Sequence, residues 1–150
     1  NNSGTGAGKS ETYYRLHNFA DSSTNNKMML ICPQNNDAFT VNDTSKGNGV
    51  LTYGIGLITT DEVVLAGGWS LENSKYYLYS GQNYWTMSPY YFNGSNANEY
   101  LVRSSGLTNF TTRVNNSIGA RPVFNLKSEV LLQGTGTAFD PYHLASWKQN

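Results

Sequence analysis

At 150 residues the chain is long enough for a single domain with a genuine core. Charged residues make up 13%, about half the ~25% usual in soluble proteins. Lys+Arg and Asp+Glu balance at 10 each, which removes any electrostatic basis for nucleic acid, an anionic membrane or another strongly charged partner.

Residues 1–10 are rich in Gly, Ser and Asn and read as a flexible lead-in. Gly4 to Ser10 imitates a phosphate-binding loop, but Ser3 stands where that loop needs its first glycine. No strand precedes it, and Glu11-Thr-Tyr-Tyr-Arg15 is a poor opening for the helix such a loop requires. Lys27 to Cys32 is a short apolar run ended by Pro33, the profile of a buried strand. Val50 to Ile58 is β-prone but interrupted by Gly54 and Gly56, which implies a bulge or close backbone packing.

One helix carries a full set of local signals. Thr59 or Thr60 can cap it, Asp61 and Glu62 suit its first turn, Val63 to Ala66 form its body, and Gly67-Gly68 stops it. Its carboxylates read as capping groups. Beyond it the chain reads as strands and turns: Lys75–Tyr79, Tyr84–Met87, Glu99–Arg103, Leu107–Val114, Pro122–Leu126 and Val130–Leu132. Ser104-Ser-Gly106 marks a hairpin, with Leu101 and Arg103 expected on one face and Tyr100 and Val102 on the other. Gly134 to Tyr142 is a turn-rich closing segment and residues 145–150 a tail. The expected architecture is α+β with a β-rich core, one domain spanning residues 11–144.

The chemistry points away from catalysis. No carboxylate pair, metal cluster or nucleophile–base arrangement has a recognisable spacing, and no cofactor motif survives inspection. Cys32 reads either as a small buried apolar residue or as half of a disulfide whose partner lies upstream or on another chain. Sequons such as Asn42-Asp-Thr and Asn93-Gly-Ser arise readily in an Asn-rich chain. No apolar run approaches the ~20 residues a membrane helix needs. No leader opens the sequence, so a mature or trimmed piece of a longer protein is expected.

Several short blocks in order support a family resemblance: Cys32-Pro-Gln, Gly54 to Val63, Ala66-Gly-Gly, Tyr77-Leu-Tyr, Tyr84 to Pro89, Gly119-Ala-Arg-Pro-Val123 and Gly134 to Tyr142. Over residues 27–143 they resemble C-terminal domains of secreted or surface proteins of gut Firmicutes, some with a type IV prepilin-like N-terminus. The Trp…Ser-Pro…Gly-x-Arg-Pro-Val frame also resembles the C-type-lectin-like fold, in the branch holding variable proteins diversified by retroelements. The resemblance implies an extracellular, cell-surface module whose frame is Trp85, Ser88, Pro89, Gly119, Arg121 and Pro122. Its ligand surface would map onto Tyr90, Tyr91, Phe92, Asn93, Asn96 and Asn98, with hairpin positions Arg103, Asn109, Phe110 and Arg113. Family members have an upstream half with a cysteine that could pair with Cys32. The Glu-Pro-Asn, Gln-Pro-Asp and Trp-Asn-Asp triplets of calcium-dependent lectins are lacking, and Asp and Glu are too scattered for a calcium-bridged sugar site.

Composition alone marks the same segment. Between Pro89 and Gly119 the chain is dense in Tyr, Phe, Asn, Ser and Thr, the mixture of rigid aromatics and adaptable amides found in binding surfaces. Pro89 and Asn93-Gly94 mark residues 90–98 as a loop with at least one exposed aromatic. Trp85 reads as core, and Arg121 as a guanidinium that satisfies carbonyls and ties two loops together. The expected function is non-enzymatic binding of a protein or glycan at a cell surface. The alternative is a structural subunit of a pilus-like or other extracellular assembly, contacting other chains.

Overall fold

The computed structural model describes residues 7–16, 28–32, 34–35, 38–69, 71–108, 110–126, 132–137 and 139–145. The protein is α+β, with two short helices and small antiparallel sheets. In chain order the elements are β1 (Gly8–Lys9), α1 (Glu11–Leu16), β2 (Ile55–Leu57), α2 (Thr60–Leu65), β3 (Tyr84–Phe92), β4 (Ala97–Val102), β5 (Phe110–Arg113), β6 (Pro122–Phe124), β7 (Leu132–Gln133) and β8 (His143–Leu144). The main sheet has the order β1-β3-β4-β5, while β2 pairs with β6 and β7 with β8.

Helix α2 forms where its caps predict. Thr59 accepts the Glu62 N–H, and the Glu62 carboxylate returns to the Thr59 N–H at 2.8 Å, closing a capping box. Strand β3 adds a second cap, because the Ser88 hydroxyl accepts the Thr60 N–H at 2.9 Å. Thr60 and Thr86 hydroxyls meet at 3.0 Å, and Thr86 donates onward to the Tyr100 carbonyl. This buried hydroxyl chain couples α2 to the middle of the sheet, with each polar group satisfied.

Helix α1 was not anticipated. Ser10 caps it, accepting the Tyr13 N–H at 3.1 Å while donating to the Pro89 carbonyl at 2.5 Å. Gly8 and Lys9 pair with Phe92 and Tyr91, so these residues of the expected lead-in belong to the sheet. Residues 1–6 and 146–150, the rest of the lead-in and most of the tail, lie outside the described residues. Arg15 binds both oxygens of Asp61, its Nη2 standing 3.0 Å from Oδ2, and also pairs with Glu11. Burial by itself would lower the guanidinium pKa, but hydrogen bonds to Asp61 and Glu11 outweigh it and raise it. Asp61 accepts the Met29 N–H as well, joining α1, α2 and the segment before Cys32.

The core gathers Leu16 from α1, Val63 and Val64 from α2, Tyr76, Tyr84, and Tyr100, Leu101 and Val102 from β4. Alternation along β4 is weaker than expected, since all three consecutive residues are buried while Arg103 is exposed. Both sides of this strand are covered. Lys27–Cys32 is not the expected buried strand: the described residues 28–32 belong to no strand, and Leu30 and Ile31 are 72% and 80% exposed. Lys75–Tyr79 forms turns, and within Val50–Ile58 only β2 is strand. There Gly56 has the close packing its position implied, for a Cβ would stand 2.8 Å from the Met87 terminal methyl.

Candidate functional site

Strand β3 creates the site through an irregularity. Pro89 has no N–H to give the ladder, and strands accommodate it best at bulges. Pro89 pairs with Glu99, but the next pair is Tyr91 with Asn98, so Tyr90 is an extra residue. Three rows result across the sheet: Pro89–Glu99–Thr112, then Lys9–Tyr91–Asn98–Arg113, then Gly8–Phe92–Ala97. Directly paired residues share a face, and successive residues along β4 alternate. Glu99 and Ala97 therefore face one way, Asn98 and Tyr100 the other.

The bulge sends Tyr90 inward. Its ring meets Tyr13 edge-on at 5.0 Å and Tyr100 at 5.2 Å, with Tyr91 at 5.6 Å on its outer side. Burial raises the Tyr90 hydroxyl pKa. Lys9 lies 3.8 Å from the centre of the Tyr13 ring and bonds its hydroxyl. Tyr90 is thus the pin between α1 and the sheet.

Residues 90–98 are not the loop that Pro89 and Asn93-Gly94 suggested. Strand β3 runs to Phe92, β4 resumes at Ala97, and only residues 93–96 turn. The Asn93 side-chain oxygen accepts the Ser95 and Asn96 N–H groups at 3.0 and 2.7 Å, and Gly94 takes φ +93°. Asn93 spends its acceptor on the turn.

A recess of about 160 Å³ opens beside this turn, lined on β3 by Pro89, Tyr91 and Phe92, on β4 by Ala97, Asn98 and Glu99, and by Gly8, Ser10 and Val114. Of the expected surface residues, the structure gathers Tyr91, Phe92 and Asn98 here, all half-buried, with Arg113 exposed in the row through Asn98. Asn93 and Asn96 stand in the adjoining turn. Arg103 lies beyond the opposite end of β4, roughly 16 Å away at ~3.3 Å per residue. Asn109 and the side chain of Phe110 lie outside the described residues.

Glu99 is the residue that sequence reasoning missed. It is half-buried, and burial pushes its carboxyl from 4.5 up to about 7. No hydrogen bond or ion pair reaches it from the described residues. A charged residue inside the β-prone run before Tyr100-Leu-Val102 was the available signal. Among the described residues no three His, Cys, Asp or Glu side chains converge as metal ligands, and no helix is long and apolar enough to cross a membrane.

Of the expected frame residues, Trp85 and Gly119 meet in space. Trp85, half-buried, donates its N–H to the Gly119 carbonyl at 2.9 Å, and Tyr84 bridges Gly119. Arg121 donates to the Leu78 carbonyl at 2.6 Å and lies over the Tyr84 ring, while Pro122 opens β6 opposite Leu57. The Cys32 thiol, also half-buried, donates to the Gln34 carbonyl at 3.3 Å. It borders a larger groove of about 530 Å³ whose walls include Leu30, Ile31, Phe39, Met87 and Phe124.

No protein-family model matches this chain, and neither a curated protein nor a solved structure matches it.

Proposed function

We propose that this chain is a non-enzymatic, extracellular recognition module of C-type-lectin-like type, binding a protein or glycan through the recess and its rim. The observation that carries this reading is one recess at the end of the sheet, lined by Phe92 and bordered by Tyr91 and Asn98 of the adjoining row. Aromatic area with few, fixed polar groups in a concavity is the usual make-up of a ligand site. The contact between Trp85 and Gly119 supports the family reading, because it joins the two blocks that would frame such a surface. Display at a cell surface, and diversification of the rim, follow from that resemblance.

Alanine at Tyr91, Phe92 and Asn98 together tests the proposal by binding of the fluorescent protein to intact cells and to a glycan array. Loss of binding with an unchanged melting curve is the expected result. Undiminished binding would remove the recess from the function. A structural subunit of an extracellular assembly is the second reading, favoured by the exposed apolar side chains of Leu30, Ile31 and Phe124 along the groove. Sedimentation velocity separates the two, since a monomer across a wide concentration range is incompatible with self-assembly through that groove.

A further inference from the structure

The recess holds an electrostatic imbalance. Glu99 lines it beside the apolar groups of Pro89, Phe92, Ala97 and Val114, and no described cation or donor reaches its carboxylate. The basic residues on the strands of this sheet end are directed elsewhere. Lys9 is held over Tyr13, and Arg113 pairs with Asn98, one position out of step with Glu99 and so on the other face of the sheet. Tyr91, the other titratable residue bordering the recess, pairs with Asn98 and so shares that opposite face. Ser10 is already committed, donating to Pro89 and accepting from Tyr13.

A half-buried carboxylate without partners must take a proton or a cation. The recess opens to solvent, and its ~160 Å³ matches cavities known to admit one benzene-sized group. Its aromatic and aliphatic walls suit a short hydrocarbon stem, and the ring of Phe92, whose partner Ala97 shares the Glu99 face, can favour a cation electrostatically. A polyhydroxyl ligand would need more polar partners than Glu99 alone supplies on this face. We infer that the recess binds a primary alkylammonium group, from a lysine side chain or a free amine, with Glu99 as its counter-ion. This deepens the recognition reading above and rests on it for its biological use.

The test is a titration followed by amide NMR at pH 8, using n-butylammonium chloride and, in parallel, n-butanol. Saturable shifts at Tyr91, Phe92 and Ala97 with the ammonium, and none with the alcohol, are expected. Glu99→Gln, which leaves the fold intact or firmer, should weaken ammonium binding at least tenfold. A doubly blocked lysine peptide distinguishes the sources: tighter binding than n-butylammonium assigns a protein lysine, equal or weaker binding a free amine. Equal response to the alcohol, or undiminished binding by Glu99→Gln, overturns the inference. If the ammonium fails while alanine at Tyr91, Phe92 and Asn98 still abolishes surface binding, the amine assignment falls and the recognition reading stands. If the ammonium binds but the alanine variant still adheres, the amine site stands and the recognition reading falls.

Discussion

The Arg121 guanidinium lies 4.7 Å from the centre of the Tyr84 ring, and both side chains donate to one acceptor, the Leu78 carbonyl. The stretch from Leu78 to Tyr84 is thereby tied to the distant one around Arg121. Arg121→Ala should cost about 1–2 kcal/mol, combining a charge-assisted hydrogen bond with an exposed cation–π contact. Arg121→Lys should recover less than half, because a compact ammonium cannot both stack and donate in this geometry. Urea unfolding of both variants checks this, and a Tyr84→Phe double-mutant cycle should show coupling of about 0.5 kcal/mol or more.

Asp61 holds α1 to α2, and both it and Arg15 are largely withdrawn from water. Removing one partner of such a pair leaves an uncompensated charge at a cost of about 3–5 kcal/mol. Arg15→Met should therefore lower the melting temperature by roughly 6–20 °C at the ~2–4 °C per kcal/mol of a domain this size. A shift of only a degree or two, by calorimetry, would show that the helices do not depend on the pair.

Glu99 gives stability a distinctive pH dependence. Its folded-state pKa, pushed up to about 7, lies above the ordinary 4.5, so the native protein holds this proton more tightly than the unfolded chain. The stabilisation is complete below pH 4.5 and is lost as pH rises through 7. Glu99→Gln should abolish this decline and be the more stable protein at pH 8. Chemical denaturation at pH 5, 6, 7 and 8 measures it, and parallel profiles for the two proteins would contradict it.

Two glycines of similar backbone conformation should respond very differently to alanine. Gly106 has φ +85°, and a Cβ there would stand 1.8 Å from the Asn73 carbonyl oxygen. Gly94 has φ +93° with open space around it. Gly94→Ala should cost about 1 kcal/mol of backbone strain alone, whereas Gly106→Ala should exceed about 2 kcal/mol and loosen the β4–β5 hairpin. Hydrogen exchange across β4 and β5 would register the second change and not the first.

Local signals were readable in the sequence, and pairings across the chain were not. Thr59, Glu62 and Gly67 announce α2 because caps act within a few residues. The β4–β5 hairpin is likewise visible around Ser104-Ser-Gly106. Helix α1 escaped notice because its Ser10 cap is anchored by Pro89, 79 residues away. Gly8 and Lys9 look like a linker until Tyr91 and Phe92 supply a strand to pair with. Within the candidate site, the composition of residues 90–98 drew the eye to Tyr91, Phe92 and Asn98, but could not separate them from Tyr90. That separation depends on the register of β3, which Pro89 disrupts through a missing donor. Glu99 stayed hidden for the same reason, since alternation assigns it a side only once its partner is known.

The extra residue at Tyr90 also governs how this surface can evolve. Codon exchanges at Tyr91, Phe92 or Asn98 would repaint the rim while leaving every backbone pairing in place. Deleting the codon for Tyr90 would instead remove the bulge between Pro89 and Tyr91, and with it the ring that pins α1 to the sheet. The site is therefore permissive to spelling changes and intolerant of changes in length, so inherited variety at this rim should come as substitutions within a fixed count of residues.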